Sequence, residues 1–486
     1  MKFKTITILF IICLMNINIG SLNAQTNDYS NSLNSYSFDL YRETKIGNEN
    51  LLLSPLSTYY ALLMAYEGSK NKTKQEFEKV LYLGDRGSTK NNLIHDLLVK
   101  SASHSFYSVS NAIWLDKSVR AEEKYKKSLE QEYYSDFKQT DFTNVESAVS
   151  AINNWVSEKT NRKINEIVDL GSINPDTKML ISNAVYFKGE WLNKFEKKKT
   201  ISAPFFTSVE NQYKVDFMNM TENLQYYEND EYQFISKPYK SSDISFCIIL
   251  PKKLFGIEEI EKKLNTDFFK VILDSAYTAK TMLSIPKLKL ESSYNLEDAL
   301  KNGGLKTAFT SEADFSGITK GTPLMLSQVL HKTWIELDEE KTEAAAVTVA
   351  IGIRGNSQRP SYVVFNADHP FVFFIMDNRS NEIIFMGRYI IPTSGEKIEK
   401  EILTKNLENR MQEKFSIGNG YRGPLYVVDK KVITEAEFKA INPKDIESME
   451  ILKKKEEISK YSTGKYDGAL IITLKKKKNR KGNYDE

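Results

Sequence analysis

The sequence predicts an α+β protein, and three observations support this class. Helical patterns occupy the front third of the chain, as at residues 145–156, where valine and isoleucine recur on one helical face. Apolar strand-like segments follow, with further helical patterns between them. The composition, 41% hydrophobic and 27% charged over 486 residues, supplies enough apolar material for a large core. The strand-like segments are Met179–Phe187, Ser245–Leu250, Thr281–Ile285, Tyr362–Phe365 and Phe371–Met376.

The N-terminus has the pattern of a secretory signal peptide. Lys2 and Lys4 precede an apolar run, Ile6–Met15, and an acceptable cleavage site of small residues ends at Ala24. The run is too short to span a bilayer. We therefore expect residues 1–24 to be removed, with no membrane span afterwards, and the mature protein to be extracytoplasmic, either secreted or periplasmic.

Cysteine content and charge limit the possible partners. After signal cleavage one cysteine remains, Cys247, and its apolar surroundings predict a buried filler residue. No intramolecular disulfide is possible, so stability must come from packing. The formal net charge of +3 gives no reason to expect a nucleic acid or membrane-surface partner.

The motifs of common enzymes are missing from the sequence. The four histidines, His95, His104, His331 and His369, show no metal-ligand spacing with acidic or cysteine partners. There is no Gly-x-Ser-x-Gly elbow and no phosphate-binding glycine loop. We expect neither an enzyme nor a bound metal or cofactor.

Residues 342–353 have an unusual alternation. Read as a strand, one face carries only small side chains, and the other carries larger ones. The segment then continues into a polar stretch, 354–360, that should lie at the surface. The pattern fits both an exposed loop and a strand buried in a crowded sheet. It also fits a helix that ends at Ala346 before an ordinary strand. The small face is Thr342, Ala344, Ala346, Thr348, Ala350 and Gly352.

Residues 331–346 resemble the hinge of a serpin, and other regions match that family in order and at the expected spacing. The resemblance covers roughly residues 28–393 and implies a serpin fold, with three β-sheets, surrounding helices and an exposed reactive-centre loop. The other matching regions are Asn50–Gly68, Asn183–Trp191, Ile285–Glu291 with Tyr294–Leu296, Phe365–Phe371 and Phe385–Arg388.

This resemblance implies a protease inhibitor that acts as a suicide substrate. A target protease, of the serine or cysteine class, would cut the loop, form an acyl-enzyme and be carried along as the loop inserts into the central sheet. From Thr342 to Gly355 an extended chain reaches about 45 Å, close to the diameter of about 50 Å expected for a domain of this size. The implied hinge comprises Glu339, Lys341, Thr342, Glu343, Ala344, Ala345 and Ala346.

Two cleavage bonds remain open. Counting along the loop as serpins usually do places the cut between Gly355 and Asn356, whereas a trypsin-like pocket selects arginine and would cut between Arg354 and Gly355. Lys341 departs from the glycine that inhibitory serpins usually carry in the hinge. The alternative function is therefore a non-inhibitory serpin that acts as a binding or carrier protein.

Five residues would control opening of the central sheet. By resemblance, Ser54, Ser57, Asn183 and His331 form a hydrogen-bonded cluster beneath it, and Trp191 lies where the loop enters. They would act as a gate and not as catalysts. The alternative is that they only satisfy buried polar groups.

A second unit follows the serpin-like region. Residues 394–417 are charged and linker-like, 418–478 form a small α/β module, and 479–486 are a polar, basic tail. Segments Gly423–Lys430, Ile441–Lys453 and Gly468–Thr473 make the module resemble the plug domain of TonB-dependent outer-membrane receptors. Detached copies occur on exported bacterial proteins of the Bacteroidetes type. The resemblance implies a cell-envelope protein as partner, although a stabilising domain explains the module equally well. We expect the whole protein to be a monomer.

Overall fold

The structure, a computed structural model, describes residues 30–84, 107–208, 211–240, 243–339 and 362–397. Near the C-terminus it describes 425–434, 437–438, 441, 446–452, 455–462 and 469–474. Several predicted features lie outside these residues. They are the signal peptide, most of the linker (398–417), the basic tail (479–486), the hinge residues Lys341, Thr342, Glu343, Ala344, Ala345 and Ala346, and the cleavage-site residues Arg354, Gly355 and Asn356.

In the described residues, helices predominate in the first third of the chain and strands predominate after it. The helices are α1 (30–44), α2 (Pro55–Gly68), α3 (Asn71–Val80), α4 (Glu123–Gln131), α5 (Val145–Lys159), α6 (Ile257–Glu261), α7 (Thr266–Ser275), α8 (Glu297–Asn302) and α9 (Lys455–Ile458). The strands of the main body are β1 (Leu51–Leu53), β2 (Tyr107–Asp116), β3 (Asp136–Thr140), β4 (Met179–Phe187), β5 (Ile201–Phe206), β6 (Gln212–Glu228), β7 (Tyr232–Pro238), β8 (Ile244–Pro251), β9 (Tyr277–Pro286), β10 (Leu288–Asn295), β11 (Gln328–Leu337), β12 (Val363–Asn366), β13 (Phe371–Asp377), β14 (Glu382–Tyr389) and β15 (Glu396–Lys397). Each of the five apolar segments predicted as strands falls on one of these, with Tyr362 one residue ahead of β12.

Two sheets form the main body. A five-stranded sheet has the order β10-β11-β4-β2-β3. In a ten-stranded sheet, eight strands have the order β1-β14-β13-β8-β7-β6-β9-β12, and β5 and β15 also pair with β6. Strands β5 and β7 pair one after the other with β6, so β6 runs from one part of the larger sheet into another. The three sheets expected of a serpin are therefore a central five-stranded sheet and two parts of the larger sheet that share β6.

Helix α2 lies between the two sheets. Pro55 occupies its first turn, where the missing N–H costs no helical hydrogen bond. All of its residues except Glu67 are buried, as expected for a helix that is apolar on every side. It contacts β2 and β4 on one side and β14 on the other. Its N-terminus therefore lies under the middle of the five-stranded sheet.

Helix α5 covers the opposite face of the five-stranded sheet. Asn144 caps it by accepting a hydrogen bond from the Ser147 N–H, at 3.1 Å. Trp155 packs edge-on against Trp114 of β2, with ring centroids 6.1 Å apart. Of the helical face predicted from sequence, Ile152 and Val156 are fully buried, and the valines at 145 and 149 are partly buried.

A small sheet follows the main body. Its strands are β16 (Leu425–Val428), β17 (Lys431–Ile433), β18 (Ile446–Leu452) and β19 (Ala469–Leu474), in the order β17-β16-β19-β18. Thr434 and Glu437 form a capping box, because the Thr434 hydroxyl accepts from the Glu437 N–H and the Glu437 carboxylate accepts from the Thr434 N–H.

Cys247 is a free and fully buried thiol, as predicted. Burial raises its pKa to about 12, which makes it unreactive at neutral pH. Among the described residues, no helix is both long and apolar enough to cross a membrane.

Candidate functional site

The centre of the five-stranded sheet contains a parallel pair of strands, β4 and β11. Their register runs from Gln328 opposite Leu180 to Ile335 opposite Phe187. On their outer sides, β11 pairs antiparallel with β10, and β4 pairs antiparallel with β2. A strand inserted between them in the opposite direction would be antiparallel to both. Antiparallel ladders are slightly more stable per residue than parallel ones. We call this boundary between β4 and β11 the seam.

The predicted loop starts at one end of the seam. Strand β11 ends at Leu337, and the next strand that the structure describes is β12, which pairs with β9 in the larger sheet. Residues 340–361 therefore connect the centre of one sheet to the edge of another. A chain that turns back at residue 340 would enter the seam in the direction opposite to β11.

His331 lies on β11 directly opposite Asn183 on β4. The Ser54 N–H donates to the Nε2 atom of His331 at 3.0 Å, so this nitrogen is an acceptor. The proton of the neutral ring then lies on Nδ1, which donates to the Oδ1 atom of Asn183. Burial lowers the pKa of His331 to about 3, so the ring stays neutral at physiological pH.

Asn183 connects this histidine to the rest of the cluster. Its amide nitrogen donates to the Ser57 hydroxyl and to the Asn111 side-chain oxygen. The Ser54 hydroxyl donates to the carbonyl of Ile384 on β14, at 2.9 Å. The cluster therefore joins α2 to strands of both sheets. Ser54, Ser57, Asn183 and His331 all have zero exposure, and each has a partner.

The sequence did not identify Asn111 as part of this cluster. It lies on β2 opposite Asn183 and is 4% exposed. A buried asparagine between the apolar residues Val109 and Ile113, which point to the same side of the strand, could have indicated its role.

Glu339 is the one predicted hinge residue that the structure describes, and it is held in place by two partners. The Thr200 hydroxyl donates to its Oε1 atom at 2.6 Å, and the Lys287 ammonium lies 2.9 Å from the same atom. Burial opposes ionisation of Glu339, but these two hydrogen bonds outweigh it and lower its pKa. Neither partner was predicted from the sequence.

Trp191 lies just beyond the end of β4, at the end of the seam where the loop begins. Its indole N–H donates to the carbonyl of Asp338 at 2.8 Å. The ring stacks on Tyr239 with centroids 4.5 Å apart, and only 1% of the residue is exposed. Trp191 thus connects the chain after β4 to the chain after β11.

The structure therefore brings the predicted gate residues to the seam. Four of them form one cluster under its middle, and the fifth, Trp191, lies at its loop end together with the hinge residue Glu339. Within the described part of the chain, no group of three or more histidine, cysteine or acidic side chains could hold a metal ion.

The chain matches the family model of the serpin (serine protease inhibitor) over residues 31–392. This chain belongs to the serpin family. It is 36% identical over 375 residues to an uncharacterized serpin-like protein of Thermococcus kodakarensis, covering 75% of this chain and 86% of that protein. It is 32% identical over 376 residues to the leukocyte elastase inhibitor of Xenopus laevis, covering 75% and 99% of the two chains.

Solved structures agree with this assignment. The crystal structure of tengpin, a thermophilic serpin in its native state, has a TM-score of 0.68 and 30% sequence identity, covering 75% of this chain and 94% of that one. Serpins are mostly protease inhibitors and not catalytic enzymes. The matched region ends at residue 392, before β15 and the small C-terminal sheet.

Proposed function

We propose that this serpin is an exported protease inhibitor that acts as a suicide substrate. The observation that carries the proposal is the seam, a parallel strand pair in the centre of a sheet, with the loop starting at its end. The small face of residues 342–352 supports it, because only small side chains can enter a packed sheet without displacing its neighbours.

The covalent step begins in the loop. The nucleophile of the protease attacks the carbonyl carbon of Arg354 or Gly355, and the peptide nitrogen of the next residue leaves as a new amino terminus. A serine protease then carries an ester and a cysteine protease a thioester. The C-terminal fragment stays bound through β12, β13 and β14, while the loop enters the seam and carries the protease with it. Hydrolysis of the acyl bond by water stalls because the active site of the protease is distorted.

The gate residues would set the barrier to this insertion. Asn183 and His331 are opposite each other across the seam, so parting β4 from β11 breaks the hydrogen bond between them. Trp191 binds the carbonyl of Asp338, and Glu339 is held by Thr200 and Lys287, so both would anchor the chain directly before the loop. These contacts support a role in timing and not in catalysis.

The test is to incubate the purified protein with a panel of serine and cysteine proteases. We expect a covalent adduct that survives boiling in detergent, and mass spectrometry of the released C-terminal fragment identifies the cut. A fragment starting at Gly355 means that Arg354 is recognised by a trypsin-like enzyme. A fragment starting at Asn356 indicates an elastase-like or subtilisin-like target. Cleavage without any adduct for every protease would contradict the proposal.

Two matched variants test insertion directly. Ala346→Arg places a charge on the small face, and Ala345→Arg places the same charge on the opposite face. We expect Ala346→Arg to be cleaved without forming an adduct, because arginine cannot be buried unpaired in the sheet. Ala345→Arg should still form the adduct. Equal behaviour of the two variants would show that the alternation has no role.

A non-inhibitory serpin that acts as a binding or carrier protein in the cell envelope is the second candidate. Lys341 favours it, because a lysine bends less freely than the glycine usual at this position. The alternation of the segment places Lys341 on the outward face, where its charge need not be buried. We therefore rank inhibition first.

The remaining regions suggest where the protein acts. Residues 1–24 support export to the periplasm or the exterior. The module at 418–478 is proposed to be plug-like and to bind another protein of the cell envelope, and the serpin body is proposed to be a monomer. Pull-down with the purified module, compared with the chain lacking it, tests whether the module binds an envelope protein. Sedimentation tests whether the protein is a monomer.

A further inference from the structure

A buried ion pair lies close to the start of the loop. Lys237, near the end of β7, has zero exposure, and its ammonium group donates to the Oε2 atom of Glu222 at 2.6 Å and to the carbonyl of Asn193 at 2.9 Å. The side-chain amide of Asn193 donates to the other oxygen of Glu222. The three residues therefore form a closed hydrogen-bonded group between β6, β7 and the segment after β4.

Stability alone is a weak reason for such a pair. Burial lowers the pKa of Lys237 and so opposes its charge, although Glu222 partly restores it. Two packed apolar side chains of similar volume often stabilise a protein as well as a buried ion pair does, or better. The surroundings of the pair indicate a more specific role.

The ion pair holds the segment that carries Trp191. The Lys237 ammonium lies 5.4 Å from the ring centroid of Trp191 and 5.0 Å from that of Phe195. Together with the Asn193 carbonyl, these contacts fix residues 191–195 from one side. Trp191 in turn donates to the carbonyl of Asp338, the second residue before the loop. A continuous set of contacts thus leads from Lys237 to the loop end of the seam.

We infer that Lys237 and Glu222 position Trp191 against Asp338 and thereby slow entry of the loop into the seam. The inference rests on the proposed function. The loop must pass between the chain after β4 and the chain after β11, which the Trp191–Asp338 hydrogen bond now connects. Loosening Trp191 removes a contact of the uninserted state and so lowers the barrier to insertion.

The central test is a double-mutant cycle between Lys237→Met and Trp191→Phe. The rate measured is the conversion of the uncut protein, just below its unfolding temperature, to a heat-resistant form that no longer binds protease. We expect Lys237→Met to increase this rate about tenfold, the value of roughly one hydrogen bond. In the Trp191→Phe background, which lacks the indole N–H, the same change should increase it less than about twofold.

A purely structural role gives a different result. Lys237→Met would then change the conversion rate by the same factor in the wild-type and in the Trp191→Phe backgrounds, and that outcome overturns the inference. The emission of Trp191, obtained by difference from the Trp191→Phe variant, is the second readout and should shift in Lys237→Met. If Lys237→Met does not fold, Glu222→Gln replaces it in the same cycle, because it removes the charge but keeps the size of the side chain.

Arg388 and Glu261 provide a matched control. Their guanidinium and carboxylate are 3.1 Å apart, and both side chains are 2% exposed. In the described residues, their hydrogen-bond partners lie in α1, the turn after it and α6, and none is shared with Trp191. Glu261→Gln should lower the unfolding temperature without changing the tryptophan emission.

The test also separates this inference from the proposed function. If the wild-type chain forms no heat-resistant form, whether its loop is intact or cut, insertion itself does not occur and both fail. If the wild type converts but the cycle shows no coupling between Lys237 and Trp191, only the positioning role fails.

Discussion

Cutting the loop should make this protein more resistant to heat, although breaking a chain normally weakens a fold. The seam pairs eight residues of β11 with eight of β4 in one parallel ladder. An inserted strand replaces that ladder with two antiparallel ladders of similar length. The net gain is on the order of eight hydrogen bonds, or about 8 kcal/mol at about 1 kcal/mol each.

This free energy converts to a measurable shift of the unfolding temperature. A serpin body spanning residues 31–392 has an unfolding entropy of about 0.8 kcal/mol/K, taking about 2.1 cal/mol/K per residue. A gain of 8 kcal/mol therefore raises the midpoint by roughly 10 °C. The cut is made with a protease that cleaves within residues 340–361 and forms no covalent adduct, and only molecules cut once are compared with the intact protein.

The assay is differential scanning calorimetry of the intact and cut proteins in the same buffer. Ala346→Arg, cut in the same way, is the control, because it loses chain continuity but should not insert. We expect its midpoint to equal or fall below that of its intact form. If the cut wild-type protein also unfolds at or below the temperature of the intact protein, the loop does not insert, and the carrier function becomes the better explanation.

Three further substitutions test the site. Below pH 6.5 the unfolding free energy of the wild type should fall with decreasing pH more steeply than that of His331→Gln, by up to about 1.4 kcal/mol per pH unit. The reason is that His331 binds a proton in the unfolded chain, whereas the buried ring, with its pKa of about 3, does not. Equal slopes in urea titrations at several pH values would contradict this. Glu339→Gln keeps a hydrogen-bond acceptor but loses the ion pair with Lys287. When the uncut variant is heated, its ability to form the protease adduct should decay about threefold faster than that of the wild type. An unchanged decay rate would contradict a role of Glu339 in the hinge. Ser57→Ala leaves the buried amide of Asn183 with one acceptor fewer. It should lower the free energy of unfolding, measured by urea denaturation, by about 1–3 kcal/mol. An unchanged free energy of unfolding would mean that the cluster relaxes around the loss.

The sequence was most informative where one physical requirement determined a whole segment. Strand β4 was predicted residue for residue because all nine of its side chains are buried, so all except Ser182 and Asn183 are apolar. The gate residues came from family resemblance and not from periodicity. Strand β6 was not predicted at all, since many of its 17 residues are polar and interrupt the continuous apolar run that marked the other strands.

The partners of the site were harder to predict, because they are distant in sequence and carry no motif. Thr200 and Lys287 both hold Glu339, yet each looks like an ordinary polar residue at the end of a surface segment. Lys237 is a stronger example. A lysine near the end of a short strand is normally solvated, and only the tertiary structure shows that it is buried against Trp191.

The gate cluster is better suited to controlling a rate than to determining the final state. Asn183 and His331 are opposite each other in the seam, so parting the strands by one strand width, about 4.8 Å, breaks their hydrogen bond. Losing a buried bond of this kind costs about 1–3 kcal/mol, less than the ladders that insertion adds. However, the loss occurs before any new ladder forms, so it raises the barrier and leaves the driving force almost intact. In the proposed mechanism, a chain held in this way would persist in its uncut form for kinetic reasons, as a trap that must wait for a protease requires.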